Sequence, residues 1–125
     1  MWKPALCLLL VGPLCACAMT PDRRVEAGVP IGSPGLAAID RGDLSRAERL
    51  LEQSALGRDD PARLINLGYV YLEQGRRDDA LKAWQDALDA RRHRWVETYS
   101  GREVRTDQLA REVLARYRPA IASAD

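Results

Sequence analysis

Residues able to carry out chemistry are few in this chain of 125 residues, and most of them lie near its N-terminus. The three cysteines are Cys7, Cys15 and Cys17, and the one histidine is His93. No disulfide or thiolate metal site can therefore form beyond residue 17, and a single histidine cannot build a multi-histidine metal cluster. With one histidine and no cysteine beyond residue 17, the sequence also gives little support to histidine-based nucleophilic catalysis. The sequence thus predicts a protein without enzymatic activity and without a cofactor.

Acidic pairs are the other candidates for chemistry. Asp59 stands beside Asp60, and Asp78 stands beside Asp79. Paired carboxylates can do acid–base work, but both pairs come just before apolar stripes with helical spacing. Carboxylates at a helix start bind free backbone N–H groups and complement the helix dipole. We therefore interpret both pairs as helix-starting residues.

The N-terminal segment 1–17, MWKPALCLLLVGPLCAC, has one lysine, then an apolar run, then small residues. This pattern is typical of a secretory signal, and the run is too short for a spanning helix. Its end, from Leu14 to Cys17, resembles the bacterial lipobox, which has an apolar residue three places before a cysteine and a small residue just before it. The resemblance implies that Cys17 is lipidated. Cleavage after Ala18 is the alternative, because Ala16 and Ala18 also satisfy the small-x-small rule.

A lipidated Cys17 would hold the protein in the periplasm. Ala18 rather than an aspartate follows the cysteine, which resembles lipoproteins sent to the outer membrane. Two or more acyl chains make a firm anchor where one would be marginal. Residues 18–34 hold three prolines, two glycines and no periodic apolar pattern, so we expect a flexible linker with a reach of about 20 to 25 Å. After cleavage following Ala18, by contrast, the protein would be soluble in the periplasm or secreted.

Two helices form the clearest structural unit, over residues 61–92. Asp60 can N-cap the first helix, and Pro61 fits its first turn because the missing donor would have had no partner there. Gly75 can end this helix in left-handed geometry, and Asp78 or Asp79 starts the next one. So short a connection requires an antiparallel hairpin. The apolar stripes are Leu64, Leu67 and Tyr71 on the first helix, and Ala80, Trp84, Ala87 and Leu88 on the second.

Gly68 stands inside the first helix, where glycine costs about 1 kcal/mol relative to alanine. A close approach of two helix backbones needs small residues at the crossing. We expect Gly68 to face Ala80 and Ala87 there, while Trp84 fills a wider part of the interface.

This arrangement resembles the tetratricopeptide repeat, whose signature is a large apolar residue, Leu-Gly, Tyr, Gly at the turn, then Ala, an aromatic residue and Ala. The matching positions are Leu64, Leu67, Gly68, Tyr71, Gly75, Ala80, Trp84 and Ala87. Leu64 replaces the usual tryptophan, and Arg92 stands where a closing proline is common. A degenerate copy occupies residues 35–57, where Gly42, Ala47 and Leu51 mirror later positions at an offset of 33. The resemblance implies an all-α fold of about two helical hairpins.

The C-terminal part should cover the end of the second repeat. Residues 95–105 predict a β-hairpin around a two-residue Ser100-Gly101 turn, with Trp95, Tyr99 and Val104 on one side. Thr106 or Asp107 would then cap a last helix over residues 106–118, ending before Pro119 and followed by a tail over 119–125. The stripe of that helix is Leu109, Val113, Leu114 and Tyr117. A partly disordered insertion is the alternative to the hairpin.

Charge is balanced overall but uneven along the chain. The 19 Lys and Arg oppose 18 Asp and Glu, and Lys3 lies within segment 1–17, so residues 18–125 are neutral. No general affinity for nucleic acid or anionic membrane follows. Residues 91–118 nevertheless hold 8 basic and 4 acidic side chains, including a basic patch of Arg91, Arg92, His93 and Arg94. The first two arginines would favour the negative end of the helix they follow; a site for an acidic partner is the alternative.

In the tetratricopeptide repeat family, the first helix of each hairpin lines a groove that holds partner peptides, so the resemblance implies a protein partner. The candidate contacts are Ile65, Asn66, Tyr69, Leu72 and Glu73. Burial under the first repeat or the β-hairpin is the alternative for them. The two-carboxylate clamp of chaperone-binding members needs basic and amide side chains along this groove. Among the candidate contacts only Asn66 is of that kind, so chaperone binding is not expected. The sequence predicts a lipid-anchored periplasmic adaptor in an envelope assembly or secretion complex, or alternatively a self-associating structural subunit.

Overall fold

Helices make up most of the part of the chain that the structure describes. The computed structural model describes residue 30 and residues 34–123. The helices are α1 (Leu36–Asp40), α2 (Leu44–Glu52), α3 (Pro61–Glu73), α4 (Arg77–Leu88) and α5 (Thr106–Ala122), and the strands are β1 (Trp95–Glu97) and β2 (Glu103–Arg105). The predicted class is confirmed: helical hairpins, a short β-hairpin and a C-terminal helix. The predicted signal segment 1–17 with Cys17, and positions 18–29 and 31–33 of the predicted linker, lie outside the described residues.

The two helical turns are built in the same way. After α3, the N–H groups of Gly75 and Arg76 donate to the carbonyls of Leu72 and Tyr71 at 2.9 and 2.8 Å, with Gly75 at φ 78°. After α1, Gly42 at φ 73° and its successor donate in the same pattern. Both are Schellman turns, in which the left-handed residue favours glycine. The offset of 33 residues between the two glycines therefore reflects a repeated structure.

Gly68 makes room for an aromatic ring rather than for facing alanines. A Cβ atom at this position would lie 2.5 Å from Cδ1 and 2.7 Å from Cε2 of Trp84. The indole is 1% exposed, and its Nε1 donates to the carbonyl of Ile65 at 3.1 Å. The close approach at Gly68 was thus predicted, but its partner was not. The ring reaches the α3 backbone because the glycine leaves a gap there.

Trp84 also joins α4 to α5. Its ring stacks on Tyr117 with centroids 5.2 Å apart. Ala80, Val113 and Leu114 complete this part of the core. The last helix therefore packs along α4 as a further layer, and none of the helices within residues 34–123 has the length and apolar character needed to cross a membrane.

The register of the β-hairpin differs from the prediction. Val96 pairs with Val104, and both face the core, whereas Trp95 is 67% and Tyr99 41% exposed. The turn is a three-residue loop ending in Gly101, at φ 78°, and not the two-residue Ser-Gly turn that was expected. Each one-residue change of register moves side chains to the opposite face of a strand. The prediction that Trp95 and Tyr99 lie on the same side of the hairpin as Val104 was therefore wrong.

The last helix also departs from the prediction at both ends. It begins at Thr106 without a side-chain cap, and the Thr106 hydroxyl instead accepts from the backbone N–H of Arg94 at 3.2 Å. It continues through Pro119 to Ala122 rather than ending at residue 118. Pro119 is exposed, so water can bind the carbonyl that the missing N–H leaves free. Burial of Ile121, which is 6% exposed, favours the extra turn.

Candidate partner-binding surfaces

The predicted groove residues of α3 are mostly in the core. Ile65, Asn66 and Tyr69 are 1%, 0% and 3% exposed, so a partner cannot reach them in this structure. Leu72 is half-buried and Glu73 is exposed. The expectation that Ile65 and Tyr69 contact a partner was wrong. The alternative is what the structure shows: both side chains are buried within the domain.

Two neighbouring elements cover this face of α3. Ile65 packs with Val96 and Val104 of the β-hairpin, and with Leu109 of α5. On the other side, Tyr69 belongs to the cluster formed with α1 and α2. The groove that the resemblance implied is thus filled by the chain itself.

Asn66 is held by a residue from the predicted linker. Its Nδ2 donates to the carbonyl of Pro30 at 3.3 Å, and Pro30 forms an antiparallel bridge with Thr98 in the hairpin loop. Pro30 is itself fully buried. The predicted flexible linker over 18–34 is therefore wrong at Pro30, which is attached to the domain because its backbone is bridged there and its ring is buried.

The signature positions of the repeat lie where the two helices meet. Leu67, Gly68, Ala80, Trp84 and Ala87 are buried, Leu64 and Tyr71 are half-buried, and Gly75 forms the turn. These residues hold α3 against α4. The opposite side of α3 is covered by the first helical hairpin and by the β-hairpin.

The basic patch does not act as one surface. Arg94 is engaged within the domain, since its Nη2 donates to both carboxylate oxygens of Asp60 at 3.0 and 2.9 Å. His93 Nδ1 lies 3.2 Å from the Thr106 hydroxyl. Arg91 and Arg92 are exposed and follow the end of α4 at Leu88. A role of these two arginines in binding an acidic partner stays a prediction.

An open groove between α4 and α5 has the composition of a binding surface. Its volume is about 300 Å³. Leu88 and Leu114 form an apolar floor, and the rim carries two arginines separated by two helical turns of α5. The lining residues are Gln85, Leu88, Arg111, Leu114, Ala115, Arg118 and Pro119. Sequence reasoning missed this groove although it predicted the helix that holds Arg111, Leu114 and Arg118, because periodicity does not say how α4 and α5 pack on each other.

The rim arginines differ in their partners. Arg111 Nη2 donates to Asp107 Oδ2 at 2.9 Å, so a carboxylate already offsets its charge. Arg118 Nη2 donates to the neutral amide oxygen of Gln85 at 3.1 Å. Since that partner carries no charge, Arg118 offers the stronger attraction for an incoming carboxylate.

Glu48 links the first hairpin to the turn of the second. It accepts from Gln74 Nε2 at 2.9 Å and from Arg76 Nη1 at 2.7 Å. The hydrogen bond from Gln74 and then that from Arg76 lower the pKa of Glu48 below its ordinary value of 4.5. The ionised carboxylate therefore stabilises the contact between the two hairpins.

Glu48→Gln is expected to lower the free energy of unfolding at pH 7 by less than about 1 kcal/mol, because the contact is partly exposed to water. A lowered folded-state pKa means that the carboxylate stabilises the fold fully above pH 4.5 and loses its effect as pH falls through the folded value. Urea unfolding at several pH values should therefore show the two proteins converging in acid. Glu73→Gln, at an exposed position, is the control, and a difference that grows in acid would contradict the role of Glu48.

Comparison with known proteins agrees with this architecture. The packed antiparallel hairpins define a helical-repeat protein, and residues 62–93 match the family model of the tetratricopeptide repeat. The chain thus carries a tetratricopeptide repeat, and the matched segment contains nearly all of α3 and all of α4. No curated protein and no solved structure gave a match.

The repeat assigns the protein to a class of interaction modules, which are typically not enzymes. Within residues 34–123 and at residue 30, no three His, Cys, Asp or Glu side chains lie together as they would to hold a metal ion. Protein–protein interaction is accordingly the function that the family supports.

Proposed function

We propose that this protein is a membrane-anchored periplasmic adaptor that binds another protein in an envelope assembly or secretion complex. The tetratricopeptide repeat at residues 62–93 carries the proposal, because this module binds other polypeptides. The lipobox-like Leu14 to Cys17 supports the anchor and the compartment. Ala18 after the cysteine favours the outer membrane.

The groove between α4 and α5 is the surface that we assign to the partner. The alternative face of α3 is covered by the β-hairpin and by Pro30, whereas this groove is open. Its floor suits an apolar side chain, and Arg118, whose partner Gln85 is neutral, suits a carboxylate beside it. The partner segment therefore combines an apolar residue with a neighbouring Asp or Glu.

Site-specific crosslinking in whole cells tests the surface. A photoreactive residue at Ala115, which is exposed and lines the groove, should capture a discrete partner, while one at the exposed Arg46 of α2 should not. Arg118→Glu should lower the capture from Ala115 by roughly fivefold, since one such charge contact contributes about 1 kcal/mol. Arg46→Glu is the matched control.

Equal capture from Ala115 and Arg46, or capture unaffected by Arg118→Glu, would remove the groove from the proposal. Crosslinks formed only between copies of this chain would instead support a self-associating subunit. The identity of the captured protein would then say which envelope complex the adaptor serves.

Labelling with radioactive palmitate tests the anchor. Cys17→Ser should lose the label and leave the membrane fraction, because Cys17 is the thiol that the lipobox resemblance designates. Cys15→Ser is the matched control and should keep the label, since serine is common at that place in such motifs. Undiminished label in Cys17→Ser would mean that the lipid is elsewhere or that the motif was misinterpreted.

A further inference from the structure

The outer side of the β-hairpin carries two aromatic side chains that the fold leaves in water. Trp95 is 67% exposed and Tyr99 is 41% exposed. Elsewhere among the described residues, the other large apolar side chain with comparable exposure is Leu50, at 37%. A Trp and a Tyr exposed on one short hairpin form a local surface with affinity for a partly apolar environment.

The N-terminal chain joins the domain at this same hairpin. Pro30 is bridged to Thr98, the residue next to Tyr99. Twelve residues lie between Cys17 and Pro30, and a random-coil chain of that length has a root-mean-square span of about 20 Å. A lipid on Cys17 would therefore be tethered to the domain at a point beside the hairpin and its exposed rings.

We propose that Trp95 and Tyr99 insert into the interfacial layer of the membrane that holds the anchor. The proposal rests on the proposed function, because it requires the lipid on Cys17. Trp and Tyr combine an apolar ring with a polar group and collect at membrane–water interfaces for that reason. Since the anchor keeps the hairpin close to the lipid, even a weak affinity of the two rings is sufficient for docking.

The charged side chains near the two rings favour a contact made by burial of the rings in the membrane over one made by electrostatic attraction to anionic lipid. Glu97 and Glu103 lie on the same outer side of the hairpin as Trp95. Arg105 is paired with Asp107 at 2.7 Å. The contact should therefore form on zwitterionic lipid and should persist in high salt, which screens charges but not apolar burial.

Tryptophan fluorescence of the lipidated protein in vesicles provides the test. Once cleavage ahead of Cys17 removes residues 1–16, the two tryptophans are Trp84, which is 1% exposed, and Trp95. In phosphatidylcholine vesicles with brominated acyl chains, Trp95 should lose most of its emission and shift to shorter wavelength, with the same result at 1 M salt. Trp95→Phe should keep only the emission of buried Trp84, unquenched by the brominated lipid.

The outcomes separate this proposal from the anchor. Acylated protein whose Trp95 is unquenched by brominated lipid and fully open to iodide would overturn the docking and leave the adaptor proposal standing. Equal quenching in Trp95→Phe would assign the signal to Trp84 and also overturn the docking. Protein without acyl label would overturn the anchor, and the docking with it.

Discussion

Gly68→Ala is expected to lower the free energy of unfolding by about 2 to 3 kcal/mol, measured by chemical denaturation of the wild-type and variant chains. The added Cβ would meet the indole of Trp84 closer than real side-chain contacts allow. Either the ring leaves its position, losing its hydrogen bond to the Ile65 carbonyl, or α3 and α4 separate. Both outcomes disturb the centre of the repeat.

The sign of this effect distinguishes packing from helix preference. Alanine is favoured over glycine inside a helix by about 1 kcal/mol, so without the ring the same substitution would stabilise the protein. Trp84→Phe is the partner for a double-mutant cycle, because it removes Nε1 and the larger ring system while keeping an aromatic group. Gly68→Ala should cost less in that background. A raised melting temperature for Gly68→Ala alone would contradict the close contact with Trp84.

Arg63→Met is expected to lower the free energy of unfolding by about 2 to 3 kcal/mol. Arg63 is 7% exposed, yet its partners within the described residues are backbone carbonyls: Nε donates to Leu51 at 2.7 Å, and Nη1 donates to Arg58 at 3.1 Å. The Leu51 carbonyl lies in the last turn of α2, where the Ser54 N–H reaches it only at 3.5 Å. The guanidinium thus links the first hairpin to the repeat. Methionine would keep the side-chain volume, but the carbonyls of Leu51 and Arg58 would lose this hydrogen-bond donor.

Denaturant unfolding with two reference variants checks this prediction. Arg46→Met, on the exposed side of α2, should change the stability by no more than about 0.5 kcal/mol. Arg63→Lys should recover only part of the loss, since one ammonium cannot reproduce the geometry of the guanidinium fork. Equal stability of Arg63→Met and Arg46→Met would show that the buried contacts of Arg63 contribute nothing.

Local chemistry made the helices and their turns predictable. Asp60 accepts from the backbone N–H of Arg63 at 2.9 Å, as an N-cap should, and Pro61 opens the helix. Gly75 ends α3 in left-handed geometry, and the matching Gly42 revealed the first hairpin. In each case a few neighbouring residues decide the backbone geometry, so the helix ends can be predicted without knowledge of distant contacts.

The partner-facing surfaces could not be predicted in the same way. Periodicity separates the two sides of α3, but it does not say which other elements cover the second side. Ile65 and Tyr69 were left over after the core stripe was assigned, and they became buried because further layers pack on them. Conversely, the groove beside Leu114 exists because the packing of α5 on α4 leaves an opening between these two helices.

The sequence by itself determined the helical hairpins, their glycine turns and the need for a gap at Gly68, because these depend on residues close together in the chain. The tertiary structure alone decided that Trp84 fills that gap, that Trp95 faces outward and that Pro30 closes over Asn66. Such choices join residues far apart in sequence. They depend on the register of a three-residue loop and on which surfaces meet, and no short stretch of sequence contains that information.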